Sequence, residues 1–135
     1  MSRGLKNCNP GNIRKSKTKY LGEVSPSRDK AFKEFCNMAY GYRAIFVLLD
    51  SYHRRYALST IQQMITRYAP PCENFTDGYI RFISKRTGIG ADENIDTLNE
   101  QDMTAIVAAI SYIENGVAAD MADVHAGWQL FISTK

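Results

Sequence analysis

Glu114 is the residue whose type and position are hardest to explain by folding alone. Ile110, Val107 and Met103 precede it by four, seven and eleven positions, so on a helix its carboxylate projects from an otherwise apolar face. Asn115-Gly116 follows and reads as the helix end, where unpaired carbonyls make the local field negative. Desolvation and that field both favour the protonated carboxyl over the anion, which is the condition a general acid needs. The competing role is an ion pair with a buried arginine, Arg43 or Arg67, that ties helices together.

Glu73 is the second acid of interest, in Tyr68-Ala69-Pro70-Pro71-Cys72-Glu73-Asn74. A double-proline turn is rigid and can present a carboxylate to a cleft, although an acid at a helix start also serves the positive end of the dipole. Asp50 and Glu23 are weaker candidates. Ser51 and His53 have no nucleophile-elbow motif around them and do not make a triad. The segment from Arg3 to Arg14 is dense in asparagine and turn formers. Amides that both donate and accept suit sugar hydroxyls and N-acetyl groups, and they equally cap their own turns. Tyr20, Tyr42, Tyr68 and Tyr79 could line a saccharide cleft or form the edge of the core.

No metal or other cofactor is expected. The two histidines, His53 and His125, lack any ligand spacing, and Cys8, Cys36 and Cys72 form an odd set without a Cys-x-x-Cys pair, read as reduced thiols.

The elements that must carry these residues are helical. Residues 1 to 30 read as a basic, turn-rich arm packed on the rest, with a short strand around Tyr20 to Val24. Ile45, Leu48, Leu49, Tyr52 and Tyr56 give a helix between Tyr40 and Tyr56 with one apolar face and a basic one bearing Arg54 and Arg55. Ser59 and Gln62 have the form of a capping box for a second helix carrying Ile61, Met64, Ile65 and Tyr68 and stopped at Pro70-Pro71. A third starts at Asn74, buries Phe75, Tyr79, Phe82 and Ile83, and ends at Gly88. A fourth runs from about Asn99 to Asn115-Gly116, and a last from about Asp120 buries Val124, Trp128 and Phe131. About five helices and almost no strand pattern imply a compact all-α fold over residues 1–135 as one domain.

At 135 residues and 44% hydrophobic, the chain can bury a core and is not a disordered segment. Its apolar runs, such as Ala44 to Leu49, are too short to cross a bilayer, so no membrane span is expected. No apolar stretch follows the basic first residues, so no Sec-type signal peptide is read. Synthesis in the cytoplasm is expected, and any work outside it, as at a cell wall, would need a non-Sec route. Charge is uneven: residues 1 to 70 carry 13 Lys/Arg against 4 Asp/Glu, net +9, and residues 71 to 135 carry 4 against 10, net −6. A basic half favours polyanions, among them nucleic acid, teichoic acid and the carboxylate-bearing peptides of a cell wall.

Four blocks together resemble a family of phage and prophage proteins usually labelled as phage structural proteins. They are Arg3-Gly-Leu-Lys-Asn-Cys-Asn-Pro-Gly-Asn-Ile-Arg14, Gly41-Tyr-Arg-Ala44, Thr60-Ile61 with Arg67-Tyr-Ala-Pro-Pro-Cys-Glu-Asn74 and Tyr79-Ile80, and Ile113-Glu-Asn-Gly116. The segment Ala109 to Gly116 is similar to the catalytic-helix pattern of lytic transglycosylases and lysozyme-like hydrolases, in which the acid closes a helix and glycine follows. The resemblance implies a lysozyme-like helical domain acting on peptidoglycan. Three departures stand out: the helix is penultimate rather than early, Tyr20 stands where relatives suggest Trp, and Cys8 where they suggest Asn.

The expected function is therefore cleavage of peptidoglycan glycan strands, of lysozyme or lytic transglycosylase type. Glu114 and Glu73 are the candidate acids, and Asn9, Asn12, Arg14, Tyr42, Arg43, Tyr68, Asn74 and Tyr79 the candidate glycan contacts. The alternative is a non-catalytic virion or cell-wall-binding module with other virion proteins as partners. A basic-arm nucleic-acid binder ranks last, since no nucleic-acid motif accompanies the charge.

Overall fold

The computed structural model describes all residues, Met1–Lys135. It contains six helices and one two-stranded sheet: α1 (Arg3–Lys6), β1 (Glu23–Val24), β2 (Glu34–Phe35), α2 (Met38–Tyr56), α3 (Ile61–Tyr68), α4 (Thr76–Thr87), α5 (Glu100–Asn115) and α6 (Met121–Ser133). The arm is thus more regular than its composition suggests. It holds a one-turn helix capped by Ser2, whose side chain accepts from Leu5 N, and an antiparallel ribbon pairing Glu23 with Phe35 and Val24 with Glu34. The strand expected from Tyr20 onward is confined to Glu23–Val24.

Helix α2 is the axis of the molecule. The residues Gly41 to Phe46 are all buried, so its first half is enclosed on every side rather than along one apolar stripe, while Arg54 and Arg55 are exposed as the pattern suggests. Its most extensive packing is on α6. Phe46 meets Trp128 edge-on at 5.1 Å and stacks near Phe131 at 6.0 Å, pairs worth about 0.5–1.5 kcal/mol each beyond their area. Close approach of the two helices depends on Gly127. A Cβ there would sit 2.7 Å from Tyr42 Cβ and 2.9 Å from Ala39 O, distances that backbone atoms cannot yield to.

Helix boundaries differ from the sequence expectation at two places, each for a local reason. The cap of α3 is Thr60, not Ser59: Thr60 Oγ1 accepts from Gln63 N at 3.1 Å and Gln63 Oε1 accepts from Ser59 N at 2.9 Å. The box is shifted by one residue because the Ser59 hydroxyl pairs with Asn94 Oδ1 at 3.0 Å. Helix α4 begins at Thr76 behind an uncapped Phe75, because the Asn74 amide turns back toward Pro70 O at 3.4 Å. Phe75, expected in the core, is 76% exposed. By contrast α5 starts at Asn99, which accepts from Asp102 N at 2.9 Å, and stops at Gly116 in the left-handed region, φ 73°. Asp120 caps α6 by accepting from Ala122 N at 2.9 Å.

The arm is tied to the helices by polar bonds that composition alone does not reveal. Lys33 is 1% exposed, and its ammonium donates to Thr18 O at 2.8 Å and to Glu23 Oε1 at 3.0 Å. Arg3 donates two bonds of 2.7 Å to the Asp29 carboxylate, which also accepts from Asn7 Nδ2 and from the backbone of Ala31 and Phe32. Asn115 Nδ2 donates to Pro10 O at 2.8 Å, fastening the end of α5 to the Asn-Pro-Gly-Asn turn. The three cysteines are free, and no helix is long and apolar enough to cross a membrane.

Candidate functional site

Between the arm and the helices α2, α3 and α5 lies a groove of about 770 Å³, and Glu114 lines it from the end of α5. The α5 pattern explains how the carboxylate arrives there. Met103, Val107 and Ile110 are buried, and Glu114 continues the same face one turn beyond, where the core gives way to the groove.

Two neutral donors hold the carboxylate. Asn12 Nδ2 donates to Oε1 at 2.8 Å and Tyr79 OH donates to Oε2 at 2.9 Å. Neither arginine proposed as an ion-pair partner is one. Arg67 stacks 3.9 Å above the Tyr56 ring, and Arg43 bonds Thr134 Oγ1 at 3.0 Å. The acid is therefore fixed in direction without a cation to neutralise it. Asn12 reaches it from a left-handed backbone, φ 50°, a conformation that asparagine tolerates better than most residues.

The tyrosines around the acid stay neutral. Burial pushes the Tyr79 hydroxyl far above its usual range, with Tyr68 and Glu114 adding to the effect, so it remains a donor to Glu114. Burial also raises Tyr68 well above its usual value; its hydroxyl donates to Gly11 O at 2.6 Å. Tyr52, on the groove wall, is pushed up to about 12 by burial, with Arg67 working the other way. Gly11 is required where it stands, since a Cβ would collide with the Tyr68 hydroxyl and with Ile45 Cδ1.

The second acid, Glu73, lines the same groove, with Arg14 Nε 4.0 Å from its Oε2; both side chains are half or more exposed. Groove lining also includes Asn12, Arg14, Tyr68 and Asn74. Three expected contacts stand elsewhere. Asn9 is fully buried, its amide donating to Ile13 O and Lys33 O and accepting from Ile13 N, so it builds the arm. Tyr42 is 1% exposed and pairs with Ser111 Oγ at 2.9 Å between α2 and α5. Arg43 faces a different cavity near the end of α6. Tyr79 reaches the site only through Glu114.

Residues that sequence reasoning did not assign to the groove include Ser16, Thr18 and Phe32 on the arm side and Tyr52 on α2. Tyr52 was legible only as part of an apolar helix face. Ser16 and Thr18 carry no local signal, because the loop that bears them is held by the distant Lys33 ammonium, which donates to Thr18 O.

No family model matches the chain. Over 118 residues it is 36% identical to a protein named Protein P5 of Pseudoalteromonas phage PM2, an alignment that takes in 85% of this chain and 72% of that one.

Proposed function

The chain belongs to the family of protein P5 of Pseudoalteromonas phage PM2, and from the geometry of its groove we propose that it is a phage-related enzyme cleaving the glycan strands of peptidoglycan. In this reading the helical body is a lysozyme-like domain and Glu114 is the general acid. The observation that carries it is a carboxyl group at the end of a buried helix face, lining a groove and oriented by Asn12 and Tyr79 with no cation within ion-pair distance. A carboxyl used only for packing would more commonly face an arginine.

Glu114 delivers its proton to the leaving glycosidic oxygen as the bond to the sugar's anomeric carbon breaks. Asn12 and Tyr79 keep the carboxyl in one direction through the step. Glu73, paired with Arg14, lines the same groove and is the fallback second carboxylate; without it, the sugar's own N-acetyl or 6-hydroxyl group would take the nucleophile's part. Arg14, Tyr68 and Asn74 are positioned to meet the glycan and its peptide carboxylates.

A non-catalytic virion or wall-binding module is the second reading. It is favoured by the exposure of Glu73 and its engagement with Arg14, which leave Glu114 as the single acid free of a cation in the groove. Loss of turbidity from a suspension of purified peptidoglycan separates the two readings: catalysis clears it with release of soluble muropeptides, and a binding module sediments with it intact.

A further inference from the structure

Arg43 belongs to the Gly41-Tyr-Arg-Ala44 block, yet the groove makes no use of it. It is 8% exposed, on the part of α2 that packs against α6. A guanidinium carries five N–H donors. Arg43 spends the one on Nε on Thr134 Oγ1 at 3.0 Å; those on its terminal nitrogens have no acceptor in the protein, and no carboxylate lies within ion-pair distance. Burial alone pushes its basicity down, and the one group working in the other direction is Tyr40. A guanidinium keeps its charge through such a shift, and the terminal N–H groups of Arg43 that find no acceptor in the protein open into a cavity instead of being sealed in the core.

What Arg43 faces is a cavity of about 350 Å³. Its polar lining is Arg43, Arg54, Lys135, Thr134 and Asp50, with Val47 and Phe131 as the apolar wall. Three cations therefore stand around one carboxylate. That carboxylate is already engaged, since Asp50 accepts from Arg54 Nε and from Thr97 Oγ1, both at 2.8 Å. The lining side chains therefore carry more cations than carboxylates, and the free donors of Arg43 form a planar fork suited to two oxygens of one anion.

We propose that this cavity is a binding site for a small doubly charged oxyanion of the phosphate type, clamped by Arg43 and flanked by Arg54 and Lys135. The site lies apart from the Glu114 groove and shares no lining residue with it, so it stands or falls independently of glycan cleavage. A free phosphate and a phosphate monoester on a larger molecule present the same chemistry. Inorganic phosphate is the probe, and a phosphorylated sugar the arm that distinguishes them by its affinity relative to phosphate.

The test is thermal unfolding and isothermal titration of the full chain in chloride buffer against inorganic phosphate at matched ionic strength. Phosphate should raise the Tm of the wild type along a saturable curve. Arg43→Met should fold about as well as wild type in chloride, because it replaces a guanidinium without an ion-pair partner by an apolar side chain of similar reach, and it should lose the response to phosphate. Lys135→Gln, which removes a charge from the rim, should fold normally and weaken phosphate by roughly tenfold. Three results would overturn the proposal: no saturable response in the wild type, an equal response in all three proteins, or acetate binding as tightly as phosphate. Unfolding of Arg43→Met in chloride would also count against it, by assigning Arg43 to the packing of α2 on α6.

Discussion

Asn12 donates its side-chain amide to Glu114 Oε1 at 2.8 Å across 102 positions of sequence, joining the turn-rich arm to the end of α5 at an acid that lines the groove. Tyr79 from α4 completes the arrangement at 2.9 Å. Three segments thus depend on one carboxyl group, and their interdependence is measurable. Tyr79→Phe and Asn12→Ala should each destabilise by about 0.5–1.5 kcal/mol, as expected for losing one side-chain hydrogen bond. In a double-mutant cycle, Tyr79→Phe combined with Glu114→Ala, which removes the carboxyl outright, should show a coupling energy of about 0.5 kcal/mol or more from urea unfolding. Strict additivity would contradict the contact.

Acid should weaken the arm before it weakens the helical body. The Arg3 guanidinium, then the backbone of Ala31, hold the Asp29 carboxyl far below the usual range, and Arg28 lowers Glu34 in the same way. Both carboxyls bind protons less readily in the fold than in the unfolded chain. Their stabilisation is therefore fully present above pH ~4 and is lost as the pH falls below it. Urea midpoints should drop between pH ~5 and ~3, and Asp29→Asn should lower the midpoint at neutral pH and flatten that dependence. An unchanged acid slope in Asp29→Asn would contradict the assignment.

Much of the helical scaffold was legible because its signals are local. The caps Asn99 and Asp120, the stop at Gly116 and the apolar period of α5 each need only a few neighbouring residues to be read. Glu114 was legible for the same reason: its place on the Met103, Val107, Ile110 face follows from helical spacing alone. Its partners were less so. Asn12 and Tyr79 could be named as polar residues suited to a cleft, but the bonds that bring them to Glu114 depend on how the arm folds back. Asn9 and Tyr42 look the same in sequence as Asn12 and Tyr79, and are buried for reasons set by tertiary packing. Lys33 drew no attention at all, because one lysine among many carries no sign that it is to be buried.

One departure from the family pattern has a backbone explanation. Cys8 lies at φ 50°, in the left-handed region where asparagine is tolerated and most other side chains are strained. Cys8→Asn should raise the Tm, with a gain of about 0.5–1 kcal/mol in urea unfolding from relieving that strain. A loss of stability would show that the half-buried thiol contributes more by packing than the strain costs.

The most direct test of the central claim is muropeptide release from purified peptidoglycan by wild type and Glu114→Gln side by side, with thermal melts as the control for folding. Gln keeps the size of the side chain; its carbonyl oxygen can accept from Asn12 while its amide donates to the Tyr79 hydroxyl, and it has no acidic proton to deliver. The account predicts release by the wild type and a fall of about 100-fold or more in the variant at a nearly unchanged Tm. A wild type that releases nothing, or a folded variant that releases as much as the wild type, would contradict it.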